Sequence, residues 1–312
     1  MQAAICFFDD YWLDVKRGVQ RRWFRPKQSG EYIDPEFHNG VYPSVHWCPE
    51  AGVYRLWYEV LPVMKVDALR YLALAESEDG RTWRPARLAD RPDPMSAEHP
   101  YIVYSGNGGV HGTSVFRDPF DPDPSRRYKA AGMTRTYRDG IRPETLPVRL
   151  SVSPDGIHWQ EGDIIHPYTS DALNALFFNP WDGRYQVLLR AAYVDRRIFQ
   201  VTGREPGNPY DWSEPRLAVH PDAGYDVPVQ LYSMWAGWND GLFLGQLMKY
   251  YVDLHDVDYS TMTGYQDSEL MYSYDGYHWM HTTREPLVER SYPDEHGQCE
   301  LVLTGMTTSD DG

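Results

Sequence analysis

The sequence predicts an all-β protein assembled from repeated four-stranded units, and three observations carry that reading. The pattern Ser-x-Asp-Gly-x-x-Trp occurs three times, at residues 77–83, 153–159 and 273–279. Each copy follows an alternating, strand-like run, at 71–75, 148–152 and 270–272. Aromatic residues make up 14% of the chain, with 11 Trp and 24 Tyr, beside 25 Gly and 24 Pro, a mixture suited to many short strands and tight turns.

Each element follows from local chemistry. Asp-Gly accepts the positive φ of a tight hairpin, and the Trp just beyond it anchors the next strand. Upstream of the first two copies a second turn enters a strand, at Pro49-Glu50-Ala51-Gly52-Val53-Tyr54 and at residues 121–128. Two less complete copies follow. Asn179-Pro180-Trp181-Asp182-Gly183 leads to Asp211-Trp212, and Asn239-Asp240-Gly241 leads to Trp279. Four units therefore start near residues 40, 110, 170 and 228, and blades of four antiparallel strands at this spacing are the signature of a β-propeller.

The termini hold further strand candidates: residues 3–8 and 19–24, joined by a turn at Lys16-Arg17-Gly18, and an inner-strand candidate at 298–306. A closed ring leaves no blade edge unpaired. The expectation is a five-bladed β-propeller in one domain, residues 1–312, whose fifth blade combines residues 2–26 and 297–312. Ser309-Asp310-Asp311-Gly312 reads as the start of another turn, so that blade is expected to be incomplete.

Several function classes drop out. No run of 18 apolar residues exists to span a membrane as a helix. The first ten residues lack the basic region of a signal peptide. Cys6, Cys48 and Cys299 show no metal-type spacing and read as reduced thiols, so a cytoplasmic setting is expected. A net charge of −15 argues against a nucleic-acid partner. An acidic, aromatic-rich surface suits neutral sugars as well as simple solubility. The oligomeric state is open.

The order Phe7-Phe8-Asp9-Asp10-Tyr11, then Pro43-Ser44-Val45 before Tyr54-Arg55-Leu56-Trp57-Tyr58, then the repeated hairpins, resembles five-bladed propeller proteins related to glycoside hydrolase families 32 and 43. The most specific match is residues 118–129. The likeness spans nearly the whole chain through structural turns, so it specifies fold better than reaction. It implies a glycosidase acting on a glycan or oligosaccharide, with furanosides such as fructosides or arabinosides the leading class. No cofactor is expected; an axial calcium ion, which some such enzymes hold, is left open. The family-32 catalytic triad does not transfer. Asp9-Asp10 has no following Pro-Asn-Gly, and Gln298-Cys299-Glu300 reverses the order of the Glu-Cys motif. Arg117-Asp118-Pro119 resembles the family's Arg-Asp-Pro, yet within this chain it aligns with Cys48-Pro49 and Asn179-Pro180, so it reads as a turn.

Glycoside hydrolysis needs two carboxylates flanking the scissile bond, roughly 5–5.5 Å apart for retention or 6.5–9.5 Å for inversion. Inner strands of a propeller start near its axis, so the acids at those starts are the catalytic candidates: Asp171, Asp226 and Glu36. Asn174, His38, His111, Trp235 and Glu300 are candidates for sugar binding, with Trp47 and Trp238 as further stacking platforms. Each acid also reads as an ordinary loop acid or strand-end cap. Asp79, Asp155 and Asp275 recur in every hairpin, which marks them as turn formers. The alternatives are a non-catalytic propeller that binds a glycan or a protein, an inactive relative, or a phosphorylase drawing its phosphate donors from Arg117, Arg149 and Arg190.

Overall fold

The computed structural model describes residues 7–26, 41–60, 70–90, 92–106, 110–134, 146–191, 196–225, 229–239, 241–252 and 264–288. These residues form four antiparallel sheets, each running outward in chain order from an inner strand. Blade one holds β1 (Val41–Cys48), β2 (Val53–Val60), β3 (Tyr71–Ser77) and β4 (Arg84–Pro85). Its outer edge is divided: β5 (Ile102–Tyr104) pairs with the first half of β3 and β4 with the second, with a 3₁₀ turn at Pro94–Ala97 between them in sequence. Blade two holds β6 (Val110–Arg117), β7 (Tyr128–Thr134), β8 (Val148–Ser153) and β9 (Gln160–His166). Blade three holds β10 (Ala175–Asn179), β11 (Arg184–Leu189), β12 (Ile198–Thr202) and β13 (Arg216–Val219). Blade four holds β14 (Gln230–Asn239), β15 (Leu242–Val252), β16 (Gly264–Ser273) and β17 (Met280–His281).

The inner strands begin where the repeat spacing places them. β1 meets β6, β6 meets β10 and β10 meets β14 in succession, which is propeller geometry. Four blades are present among the described residues. Of the expected fifth blade, residues 297–312 lie outside the described residues. Residues 19–24 are described and carry no strand, which corrects the expectation for that segment. Its predicted turn is present, with Gly18 at φ 71°. The arm instead lies against blade four. Phe8 stacks 5.2 Å from Tyr272, and Asp9 accepts hydrogen bonds from Tyr272 (3.0 Å) and Tyr274 (2.8 Å). Side-chain contacts thus hold this part of the arm on blade four.

The repeated hairpin is wider than predicted. Between β3 and β4 six residues intervene rather than a two-residue turn, and the same holds between β8 and β9 and between β16 and β17. Side chains hold these loops. Ser77 Oγ donates to Asp79 and accepts from Gly80 N, while Asp79 accepts from the backbone of Arg81 and Thr82. Ser153/Asp155 and Ser273/Asp275 repeat the arrangement. Two of these hairpins also latch their blade to the one before it. Trp57 of β2 donates to Gly156 O (2.7 Å) and Arg55 to Asp155 O (2.8 Å). In the same way Gln200 of β12 donates to Gly276 O (2.9 Å) and Asn179 to Asp275 O (2.8 Å). The glycine serves twice: Gly156 has φ 75°, and a Cβ there would stand 2.5 Å from the Trp57 ring.

Candidate active site at the propeller axis

β1 and β2 are antiparallel, with Val41 opposite Glu59, so the start of every inner strand and the end of every second strand reach the same face. That face collects titratable groups from all four blades. Glu59 lies near the end of β2, His111 near the start of β6, Asp171 precedes β10, Arg190 follows β11, and Tyr42 and Tyr232 lie near the starts of β1 and β14. Three of the inner strands are bulged there, between Val41 and Ser44, His111 and Ser114, and Leu231 and Ser233. Bulges re-aim side chains and are common beside active sites. Tyr42 has φ 53°, a left-handed conformation that costs a non-glycine residue about 1–3 kcal/mol and persists only where its surroundings impose it.

Glu59 is the hub. It is 0% exposed, and Oε1 accepts from His111 Nδ1 (2.8 Å) and Arg70 Nη1 (2.8 Å), while Oε2 accepts from Gly112 N (2.8 Å). Burial alone would raise its pKa, but the His111 ring and the Arg70 guanidinium outweigh burial and hold it below the ordinary carboxylate value. The other ring nitrogen of His111 stands 3.0 Å from Asp171 Oδ1. Asp171 is braced by Arg190, whose Nη2 donates to the Asp171 carbonyl (2.5 Å) and lies 3.5 Å from Oδ2. Arg190 in turn lies over the Tyr232 ring, 5.1 Å from its centroid. Burial, then the Asp171 charge, raises the Tyr232 pKa, and burial raises that of Tyr42 well above the phenol value, so both remain neutral hydroxyls.

One glycine permits this geometry. Gly112 has φ 61°, and a Cβ on it would lie 1.8 Å from Ala172 O. Its carbonyl accepts from Asn174 N (2.8 Å) and Asn174 Nδ2 (3.1 Å). That close crossing of β6 and the segment before β10 is what brings His111 to Asp171.

The structure places the sequence candidates unevenly. Asp171 and His111 meet at the axis, and the Asp171 side chain keeps 22% of its surface exposed. Asn174 is fully buried beneath them, its Nδ2 donating to backbone carbonyls of Gly112 and Ala172, so it clips two blades together. Trp235 packs against the core shared by blades three and four. Asp226, Glu36, His38 and Glu300 lie outside the described residues. Trp47 packs on Tyr54 and Trp238 on Trp181 and Phe243, at the opposite face where the inner strands end. Of the proposed phosphate donors only Arg190 reaches the axis; Arg117 pairs with Glu50 and Arg149 with Glu161.

Glu59 and Arg70 escaped the sequence reading. Glu59 is not at the start of an inner strand but near the end of a second strand that returns to the same face. Its signal was available: one acid in the otherwise apolar run Leu56-Trp57-Tyr58-Glu59-Val60. Asp118 is the turn former expected. Its carboxylate accepts from Phe120 N (2.8 Å), Lys129 Nζ (2.7 Å) and Tyr185 OH (2.6 Å), far from the axial acids. Among the described residues no cluster of His, Cys, Asp and Glu could hold a metal ion, and the described axial acids face a histidine and two arginines, a donor set unsuited to calcium.

No protein-family model matches the chain, and no curated protein matches it. Solved structures do. A glycosyl hydrolase from Bacteroides ovatus is 12% identical with a TM-score of 0.57, covering 90% of this chain and 86% of its own. The fold is a β-propeller. The catalytic domain of the Coprinopsis cinerea GH62 α-L-arabinofuranosidase is 10% identical with a TM-score of 0.51, over 84% of this chain and 73% of that one. An N-acetylgalactosamine deacetylase from F. plautii, in complex with blood group B trisaccharide, is 14% identical with a TM-score of 0.58, over 86% and 76%. At these identities the likeness concerns the fold.

Proposed function

We propose that this protein is a glycoside hydrolase related to families 32 and 43 that cleaves a glycan or oligosaccharide at the propeller axis, with furanosides the favoured class. The observation that carries the proposal is the Asp171 carboxylate. It lies at the axial face with part of its surface open, oriented by His111 and Arg190, while its neighbour Glu59 is sealed and fully engaged. Asp171 then works as one of the two carboxylates that glycoside cleavage requires, and Asp226 or Glu36, in the segments entering β14 and β1, supplies the other. The likeness to an arabinofuranosidase domain supports the furanoside preference by analogy.

The fifth blade belongs between blades four and one. The hairpins of blades two and four each receive hydrogen bonds from the preceding blade, and a blade before blade one would stand in the same relation to its Asp79-Gly80 hairpin. Residues 297–312, at the other end of the chain from the arm, are our candidates for its strands.

The test is a screen of aryl glycosides, furanosides included, on the wild type and Asp171→Asn. The expected result is turnover that falls by about 10²–10⁴ in the variant with its fold intact. Undiminished turnover in Asp171→Asn would remove this residue from the mechanism. No turnover on any glycoside would favour a propeller that only binds glycans.

A further inference from the structure

Resting on the hydrolase reading, we propose that Glu59 and His111 are positioning residues that share a proton with Asp171 and so supply its acid form. Both ring nitrogens of His111 face carboxylate oxygens, Nδ1 at 2.8 Å from Glu59 Oε1 and Nε2 at 3.0 Å from Asp171 Oδ1. An ionised carboxylate and an unprotonated ring nitrogen are both acceptors, so each contact requires a hydrogen between the two atoms. A neutral imidazole brings one. The second is shared between Nε2 and Asp171 Oδ1. On Oδ1 it makes Asp171 a carboxylic acid; on Nε2 it leaves a carboxylate beside an imidazolium.

Glu59 fixes which end of the ring is variable. Its oxygens are held by Gly112 N and Arg70, so the Nδ1 hydrogen is tied in place and only the Nε2 side can change. The groups facing the ring are Tyr42 from β1, edge-on at 5.8 Å, Glu59 from β2, and Asp171 from the segment before β10. Arg70 and Arg190 act through the two carboxylates and favour their charged forms, so in the resting site the shared proton sits on Nε2. During cleavage the glycosidic C–O bond breaks with its electron pair on the leaving oxygen. That oxygen takes the shared proton through Asp171, leaving a carboxylate and a neutral ring. The water whose oxygen bonds to the sugar carbon gives up a proton, which returns to the Asp171–His111 pair. Each turnover therefore restores the starting state.

Two measurements test this. In the full chain labelled with ¹⁵N-histidine, the His111 resonances, assigned by their loss in His111→Asn, should show hydrogens on both ring nitrogens. In Asp171→Asn the Asn amide donates into Nε2, so the Nε2 hydrogen should disappear while Nδ1–H stays. A single ring N–H in the wild type, unchanged by Asp171→Asn, would overturn the relay. The second measurement compares leaving groups. Glu59→Gln and His111→Asn should lose kcat on alkyl glycosides, whose leaving oxygen must be protonated, and largely keep it on aryl glycosides with acidic phenols. Equal losses on both would show a merely structural role. If the wild type cleaves no glycoside, the hydrolase reading fails, and the ring spectra alone decide whether the proton is shared.

Discussion

Replacing Gly112 by alanine should damage both the fold and the axial site, and a matched control separates the causes. Gly112 has φ 61°, and Gly52, in the turn between β1 and β2, has φ 67°. The backbone penalty for a side chain is therefore similar at the two positions, about 1–2 kcal/mol, lessened by about 0.4–1 kcal/mol because alanine also restricts the unfolded chain. Their surroundings differ. Nothing lies within 4 Å of a Cβ at Gly52, whereas at Gly112 the Ala172 oxygen stands 1.8 Å away and Asn174 Nδ2 3.0 Å away. Relieving that clash must separate β6 from residues 172–174. Overpacking of this kind costs about 1–3 kcal/mol. The bond from Asn174 N to Gly112 O (2.8 Å) is lost as well, at about 0.5–1.5 kcal/mol. Gly52→Ala should cost about 1 kcal/mol or less, and Gly112→Ala about 3–5 kcal/mol. Urea melts of both variants, with turnover measured well below the midpoints, provide the assay. If Gly112→Ala proves as stable as Gly52→Ala and keeps wild-type turnover, the close crossing of blades two and three does not set the site geometry.

Further outcomes follow from other buried contacts. Lys129, fully buried between Asp118 (2.7 Å) and Asp121 (2.8 Å), neutralises two acids, so Lys129→Met should destabilise by about 3 kcal/mol at neutral pH. Although burial opposes it, the Lys129 contact holds the Asp121 pKa down, so that contribution is present above pH 4 and fades as acid protonates the group; a Lys129→Met penalty that does not shrink in acid would contradict the assignment. Burial lowers the pKa of His46 to about 4, its Nε2 donating to Val115 O at 2.8 Å. The unfolded chain takes up that proton near pH 6.5, so stability should drop between pH 6.5 and 4 by on the order of 1–3 kcal/mol, the ring's partial exposure lowering the figure. His46→Gln should flatten this part of the Tm–pH curve, and an unchanged slope would refute it. Trp57→Phe removes a donor to Gly156 O but leaves that carbonyl the Trp159 indole at 3.0 Å, so a loss of only about 1–2 kcal/mol is expected in denaturant melts.

The repeats made the fold legible. Ser-x-Asp-Gly-x-x-Trp encodes a loop closed by its own side chains, so local sequence suffices to place it, and four inner strands began where the spacing put them. The N-terminal arm was misread because residues 19–24 have strand composition, while pairing depends on a neighbour that composition does not name. The site was only half legible. Asp171 and His111 could be proposed singly from their place at strand starts. Their meeting could not, because it depends on the Gly112 crossing between two blades. Glu59 joins them only because antiparallel pairing returns the end of β2 to the face where β6 begins. Sequence by itself determined where the repeated hairpins fall, where the four inner strands of the described residues begin, and two members of the site, Asp171 and His111. Which acid is sealed, which stays open and which histidine lies between them was decided by tertiary packing, since a proton-sharing contact is set by ångström-scale distances between segments far apart in the chain.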